Sequence, residues 1–73
     1  MRRSAGVRAL TVLLYIGAAL EDADPAQKRA LREQVFPAVD EESDRMVRSR
    51  IREVMGKSWR PSGEWAEQLA ALR

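Results

Sequence analysis

The stretch ALTVLLYIGAAL, residues 9–20, is the most apolar part of a chain in which one third of the residues are charged. It holds one plainly polar side chain, Thr11, and one half-polar side chain, Tyr15. A transmembrane helix needs about 20 apolar residues, and here acidic residues follow directly after residue 20. We therefore expect a helix of a folded domain and no membrane span.

On a helical wheel, the polar residues of this stretch occupy one narrow sector and apolar residues occupy the rest. Such a helix is usually buried, because a surface helix needs an apolar stripe only about 100° wide. The pattern predicts a first helix over residues 4–21 as the central element of the fold. The rest of the chain has little apolar surface to cover it, which predicts self-association through Leu10, Leu13, Leu14 and Gly17. The small residue Gly17 is expected to let another backbone approach closely.

The same stretch also fits the pattern of a secretory signal. Basic residues precede it, and Gly17 and Ala19 form a small-x-small motif at its end. Removing residues 1–19 would leave a remainder with little apolar content, so we expect them to belong to the fold. Whether they also act as a targeting signal stays open. The absence of cysteine points to a reducing compartment, and we expect a cytoplasmic protein.

The clearest local signal is the segment DPAQ, residues 24–27. Asp24 is suited to the N-cap, Pro25 to the first helical position, and Gln27 to the position that completes a capping box. These residues predict a second helix over residues 25–36. It is expected to end there because the following proline disfavours helical backbone at the residue before it.

Two further helices are predicted over residues 38–57 and 63–72. Gly56 is suited to ending the former, and Pro61 prevents its continuation. Ser62 is a suitable N-cap for the latter.

No window of the sequence alternates between apolar and polar residues as a strand does. The chain is therefore predicted to form a single all-α domain over residues 1–73, a small bundle of three to four short helices. A domain of this size buries only about 60% of its unfolded surface. Without cysteine it has no disulfide, so we expect a partner or a second copy to add stability.

The sequence offers little for catalysis. It lacks histidine and cysteine, the commonest general base and the thiol nucleophile. The segment GKS at residues 56–58 lacks the upstream glycine of a phosphate-binding loop. The acidic run at residues 40–44 lacks the pattern of a calcium loop and suits the N-terminus of the third helix. We expect a protein that is not an enzyme and that needs no metal or cofactor.

The strongest charge pattern lies in the third helix and the turn after it, where residues 45–60 include six basic residues and one acidic residue. Arg45, Arg48 and Arg52 fall within about 60° of one another on the helix. They either face solvent and pair with the chain's own acidic residues, or bind an acidic protein surface, or follow the phosphates of a nucleic acid. The net charge of only +2 and the absence of a helix-turn-helix spacing count against DNA.

Two tryptophans, Trp59 and Trp65, bracket the turn before the last helix. Trp and Arg are enriched in binding hot spots, which makes Trp59 and Arg60 candidates for partner contact beside the three arginines. The competing interpretation is that both indoles close one end of the bundle, since the chain has only four aromatic residues.

These observations predict a small non-catalytic protein–protein interaction module, such as an adaptor, an inhibitor or an antitoxin-like accessory protein. We expect it to present a helical surface to another protein, for which an acidic surface is one candidate, and to form a homo-oligomer, without binding membranes. The alternative is a small nucleic-acid-binding regulator that uses the arginine-rich helix.

Overall fold

The computed structural model describes the backbone of residues 2–72 and the side chains of residues 10–72. All regular structure in that part of the chain is helical, which confirms the predicted all-α bundle. The helices are α1 (Arg2–Asp22), α2 (Pro25–Ala30), a π-helical segment (Leu31–Val35), a 3-10 segment (Phe36–Ala38), α3 (Asp44–Met55) and α4 (Gly63–Ala71). Within these bounds no helix is both long and apolar enough to cross a membrane.

The core lies between α1, α3 and the π-helical segment. Its buried side chains recur at helical spacing, as expected for amphipathic helices packed on one another. They are Val12, Ile16, Ala19, Leu31, Val35, Ala38, Val47 and Ile51. Burying one large aliphatic side chain stabilises a fold by about 1.5–3 kcal/mol, so this cluster is the main source of stability.

The predicted capping box forms at the start of α2. The Gln27 backbone N–H donates to Asp24 Oδ1 at 2.7 Å, and the Asp24 backbone N–H donates to Gln27 Oε1 at 3.0 Å. Two of the N–H groups that a helix start leaves without partners are thereby satisfied. The position of this helix start, with Pro25 as its first residue, agrees with the sequence.

The chain beyond α2 stays helical past residue 36, the predicted end, but the type of helix changes. The chain widens into a π-helical turn in which the Phe36 N–H donates to the Leu31 carbonyl, and then tightens into the 3-10 segment. Pro37 has no N–H that could donate to a carbonyl of the preceding turn. The wider π-helical turn before it changes which carbonyls accept the backbone hydrogen bonds there. Leu31 and Val35 remain fully buried through this change.

The third helix begins at Asp44, not at residue 38 as the sequence predicts. Ser43 is its N-cap, with the hydroxyl accepting a hydrogen bond from the Met46 N–H at 3.3 Å. Before this cap the chain makes a turn closed by backbone bonds to the Ala38 carbonyl. Most of the acidic run therefore precedes the helix, and Asp44 is the one acidic residue in its first turn.

The end of α3 and the start of α4 are both marked by glycine. Gly56 follows α3 with φ of 110°, a backbone conformation that favours glycine and stops the helix at Met55, two residues before the predicted end at residue 57. Ser62 is the N-cap residue of α4, as predicted, although its hydroxyl makes no capping hydrogen bond. The α4 helix packs against α1 and contains no fully buried residue.

Candidate interaction surfaces

The α1 helix has two faces that differ in how the chain covers them. The inner face, including Val12 and Ile16, points into the core. The outer face, which we define as Leu10, Leu13 and Gly17, leaves Leu10 44% and Leu13 54% exposed. The prediction that α1 is enclosed on nearly all sides therefore does not hold within a single chain. The wheel identifies apolar positions but not the side on which the chain supplies neighbours.

An open groove runs beside Leu13 on the outer face of α1. It has a volume of about 280 Å³ and is lined by Leu13, Ile16, Phe36, Val39 and Asp40. We call it the α1 groove. Phe36 is itself 40% exposed at its wall. An apolar surface rimmed by polar residues is typical of an interaction site.

Phe36 and Val39 are groove residues that the sequence analysis did not identify. They flank Pro37, a position interpreted only as the end of a helix. The 3-10 segment and the turn after it bring both side chains next to α1. The available signal in the sequence was an aromatic residue next to a proline, which is too weak to specify a groove.

Gly17 lies under the indole of Trp65. A Cβ atom at position 17 would lie only 2.6 Å from the indole atoms Cη2 and Cζ3. The predicted close approach at Gly17 thus takes place, but the approaching group belongs to the same chain. Of the four residues predicted for self-association, Leu10 and Leu13 are exposed, Leu14 is half-buried, and Gly17 is in contact with α4.

Both tryptophans donate hydrogen bonds to consecutive carboxylates at the end of α1. Trp65 Nε1 lies 2.8 Å from Glu21 Oε1, and Trp59 Nε1 lies 2.9 Å from Asp22 Oδ2. The negative end of the helix dipole disfavours acidic residues in a last turn, and these N–H groups compensate for it. Trp59 also packs against the core cluster. The indoles therefore join the end of α1 to the segment after α3, and the interpretation that they close one end of the bundle accounts for both.

The three arginines predicted to bind a partner lie along one side of α3, and we call them the arginine face. The guanidinium of Arg48 lies 5.6 Å from the centroid of the Tyr15 ring, in cation–π range. Its Nε also donates to the Asp44 carbonyl at 3.4 Å. Arg45 is exposed and Arg52 half-buried. Neither guanidinium group makes an ion pair or a hydrogen bond with the described residues of the chain.

Two other basic residues of this region, Arg50 and Arg60, make hydrogen bonds within the chain. Arg60 Nη1 donates to the carbonyls of Lys57 and Trp59 at 3.1 and 2.8 Å. Arg50 makes two hydrogen bonds to the carboxylate of Glu42, at 3.0 and 2.7 Å. These bonds lower the pKa of Glu42 below its ordinary value and raise that of Arg50. The predicted pairing of arginines with the acidic run is therefore made by Arg50, outside the arginine face.

The chain thus has two candidate surfaces, the α1 groove and the arginine face. Leu13 borders the groove and Tyr15 borders the arginine face. These two residues are about 160° apart around α1, so the surfaces lie on opposite sides of the helix. No family model, no curated protein and no solved structure matches the chain.

Proposed function

We propose that this protein is a non-catalytic protein–protein interaction module with two binding surfaces. The α1 groove serves association between copies, and the arginine face receives a partner protein with an acidic surface. The observation that carries the proposal is the exposure of Leu13 and Phe36 in one groove. Leu10, which lies about one turn before Leu13 on the same face of α1, is exposed as well. Single exposed apolar residues are normal on a protein surface, whereas a contiguous group points to binding.

The arrangement of the arginine face supports an acidic protein as the partner. Tyr15 lies beneath the guanidinium of Arg48 and restricts where that group points. Arg45 and Arg52, on the same side of the helix, have guanidinium groups that pair with no carboxylate in the described part of the chain and could pair with those of a partner. Arginine binds carboxylates through two parallel hydrogen bonds, which gives direction as well as attraction. The module would act as an adaptor, an inhibitor or an antitoxin-like accessory protein, and its cysteine-free sequence favours the cytoplasm.

The proposal is tested by affinity capture with the tagged full chain from a lysate of the source organism. Three baits are compared: the wild type, the double variant R45E/R52E, and L13E. We expect the wild type to retain a protein in stoichiometric amount after nuclease treatment. R45E/R52E should lose that protein, because like charges then face the acidic partner. L13E should keep it, since Leu13 lies on the opposite side of α1.

The nucleic-acid alternative gives a different result in the same experiment. Nuclease would then release everything bound, and binding of a purified duplex would fall with rising salt. Only three arginines form the face, so the salt dependence would be shallow compared with that of a protein making many phosphate contacts. Capture of the same proteins by the wild type and by R45E/R52E would show that the arginine face is not the partner surface.

A further inference from the structure

We propose that α4 is a strap that leaves α1 while the core stays folded. The core cluster and the partly buried side chains packed against it include no residue of α4. All nine residues of α4 are exposed or half-buried, and the helix packs chiefly against α1. Segments with few buried apolar contacts open at a lower free energy than the core does. We therefore expect α4 to open as a separate unit.

The described attachment of α4 to α1 centres on one side chain, Trp65. Its indole covers Gly17, where a Cβ atom would lie 2.6 Å from the ring, and its Nε1 donates a hydrogen bond to Glu21. This hydrogen bond is exposed, so water can take the place of either partner when the contact opens. Because no residue of α4 packs against the core cluster, the core keeps its own contacts when α4 leaves.

The chain before α4 is anchored to the core, which places the hinge of the strap after Trp59. Trp59 packs against the core cluster and donates a hydrogen bond to Asp22. The start of α4, in contrast, is weakly held. The Ser62 hydroxyl makes no capping hydrogen bond, and the Ala66 N–H reaches the Ser62 carbonyl at 3.4 Å, which is long for a hydrogen bond. Residues 61–63 can therefore reorient without disturbing Trp59.

Detachment from α1 also unwinds α4. An isolated helix shorter than about 12–15 residues is marginal in water, and α4 has nine residues. The backbone N–H groups of α4 therefore lose their intrahelical hydrogen bonds when the helix leaves α1. Their exchange with solvent deuterium then measures the detachment.

The release of α4 changes the outer face of α1. While α4 is in place, Leu10 and Leu13 are exposed and Gly17 lies under the indole. Once α4 has left, all three residues of the outer face are uncovered, over about two turns of α1. The strap thereby sets how much of this face is open to association, and this regulatory consequence rests on the proposed function.

The test is amide hydrogen exchange, measured by NMR on the wild type and on Ile51→Val. Ile51 is completely buried in the core, and its shortening should make the slowest amides of α3 exchange about 2- to 12-fold faster. The amides of α4 should keep their wild-type rates, because the substitution affects the closed state and the α4-detached state equally. In the wild type, the slowest amides of α4 should exchange about ten-fold or more faster than those of α3.

Two variants within α4 complete the comparison. Trp65→Phe removes the hydrogen bond to Glu21 and part of the contact with Gly17, and should raise the exchange rates of α4 by about two- to ten-fold. Gln68→Ala is the matched control, because Gln68 is exposed on the same helix. It should leave the rates within about two-fold of the wild type. Circular dichroism checks that every variant keeps its helical content.

A glutamate-specific protease provides an independent measurement on the same variants. Proteolysis follows the population of the opened segment when opening is fast relative to cleavage. The initial rate of cleavage after Glu67 therefore reports the opening of α4, and that after Glu53 reports the unfolding of α3. Ile51→Val should speed cleavage after Glu53 and leave cleavage after Glu67 unchanged.

Equal acceleration of α3 and α4 by Ile51→Val would overturn the proposal, because α4 would then open only when the whole chain unfolds. Equal exchange rates of the two helices in the wild type would overturn it as well, and so would an unchanged α4 in Trp65→Phe. None of these measurements involves a partner. A strap that opens as expected in a chain that captures no protein would refute the proposed function and leave this proposal intact.

Discussion

The inner and outer faces of α1 belong to one apolar stretch, yet the chain covers them differently. On the inner face, Val12 and Ile16 pack against aliphatic side chains of α3 and the π-helical segment. On the outer face the described contacts come from the Trp65 indole over Gly17, and from the groove wall beside the exposed Leu13. An apolar helix therefore indicates how much surface has to be covered, while the neighbouring elements decide which side is covered.

The largest expected effect comes from comparing the same substitution on two leucines. Leu31 is completely buried, whereas Leu13 is 54% exposed. Leu31→Ala should reduce the free energy of unfolding by about 2–5 kcal/mol, because it removes buried surface and leaves a cavity. Leu13→Ala should cost less than about 1 kcal/mol. Urea denaturation followed by circular dichroism, at a concentration low enough to avoid association, measures both. Equal losses would mean that Leu13 is covered as fully as the core residue Leu31, which would contradict the exposed outer face of α1.

The second prediction concerns the contact between Gly17 and Trp65, which decides how α4 is held. In the wild type, Gly17→Ala places a methyl group against the indole, and overpacking of this kind costs about 1–3 kcal/mol. Alanine also favours the helix over glycine by about 1 kcal/mol. The net effect in the wild type should therefore be neutral to destabilising.

In a Trp65→Ala background the same Gly17→Ala change meets no indole and should stabilise the chain by about 0.5–1 kcal/mol. The double-mutant cycle isolates the contact between the two residues. The rate of amide hydrogen exchange in α4 should be higher in the single variant Gly17→Ala than in the wild type. A stabilisation of equal size in both backgrounds would contradict the close packing at Gly17.

A smaller effect is expected from the indole N–H groups at the end of α1. Trp59→Phe and Trp65→Phe keep an aromatic ring but remove the donors to Asp22 and Glu21. A hydrogen bond contributes about 0.5–1.5 kcal/mol net, and these exposed bonds should lie at the lower end. Trp65→Phe also removes the indole atoms that contact Gly17, so the cleaner comparison is made at Trp59. Asp22→Asn is its matched control, because the amide oxygen still accepts the hydrogen bond from Trp59. Thermal unfolding should therefore show a lower midpoint for Trp59→Phe than for Asp22→Asn.

The smallest effect belongs to the ion pair between Glu42 and Arg50, which lies at the surface. The folded-state pKa of Glu42 is below its ordinary value because Arg50 donates hydrogen bonds to it. Its contribution to stability is therefore present at neutral pH and is lost as the pH falls through the folded-state pKa. Glu42→Gln should flatten the acid side of the stability profile slightly, and 1 M salt should reduce the difference between the variant and the wild type.

The features that were predicted correctly from the sequence depend only on residues that are close together along the chain. The capping box of Asp24 and Gln27 spans three residues, and the Gly56 stop depends on one backbone angle. The predicted start of the third helix was wrong because the acidic run suits a helix N-terminus as a whole, while the serine within it, Ser43, forms the cap. The turn before this cap is closed by the Ala38 carbonyl, which the residue pattern does not reveal.

The candidate surfaces were predictable only in part, because they depend on how distant segments pack. The positions of Leu10 and Leu13 on one side of α1 follow from helical spacing. The other wall of the groove follows from the 3-10 segment, whose packing against α1 has no local signal. Gly17 predicted a close approach but could not identify Trp65, which lies 48 residues further along the sequence.

The two tryptophans have a consequence for optical measurements on this protein. They are the only two in the chain, and both indoles sit against carboxylates in the last turn of α1. The indole emission therefore reports on the end of the bundle where α4 and the turn before it meet α1. The groove at Leu13 lies outside that environment. A change in emission wavelength would signal the local detachment of α4, whereas the association of two chains through the groove would leave the spectrum unchanged.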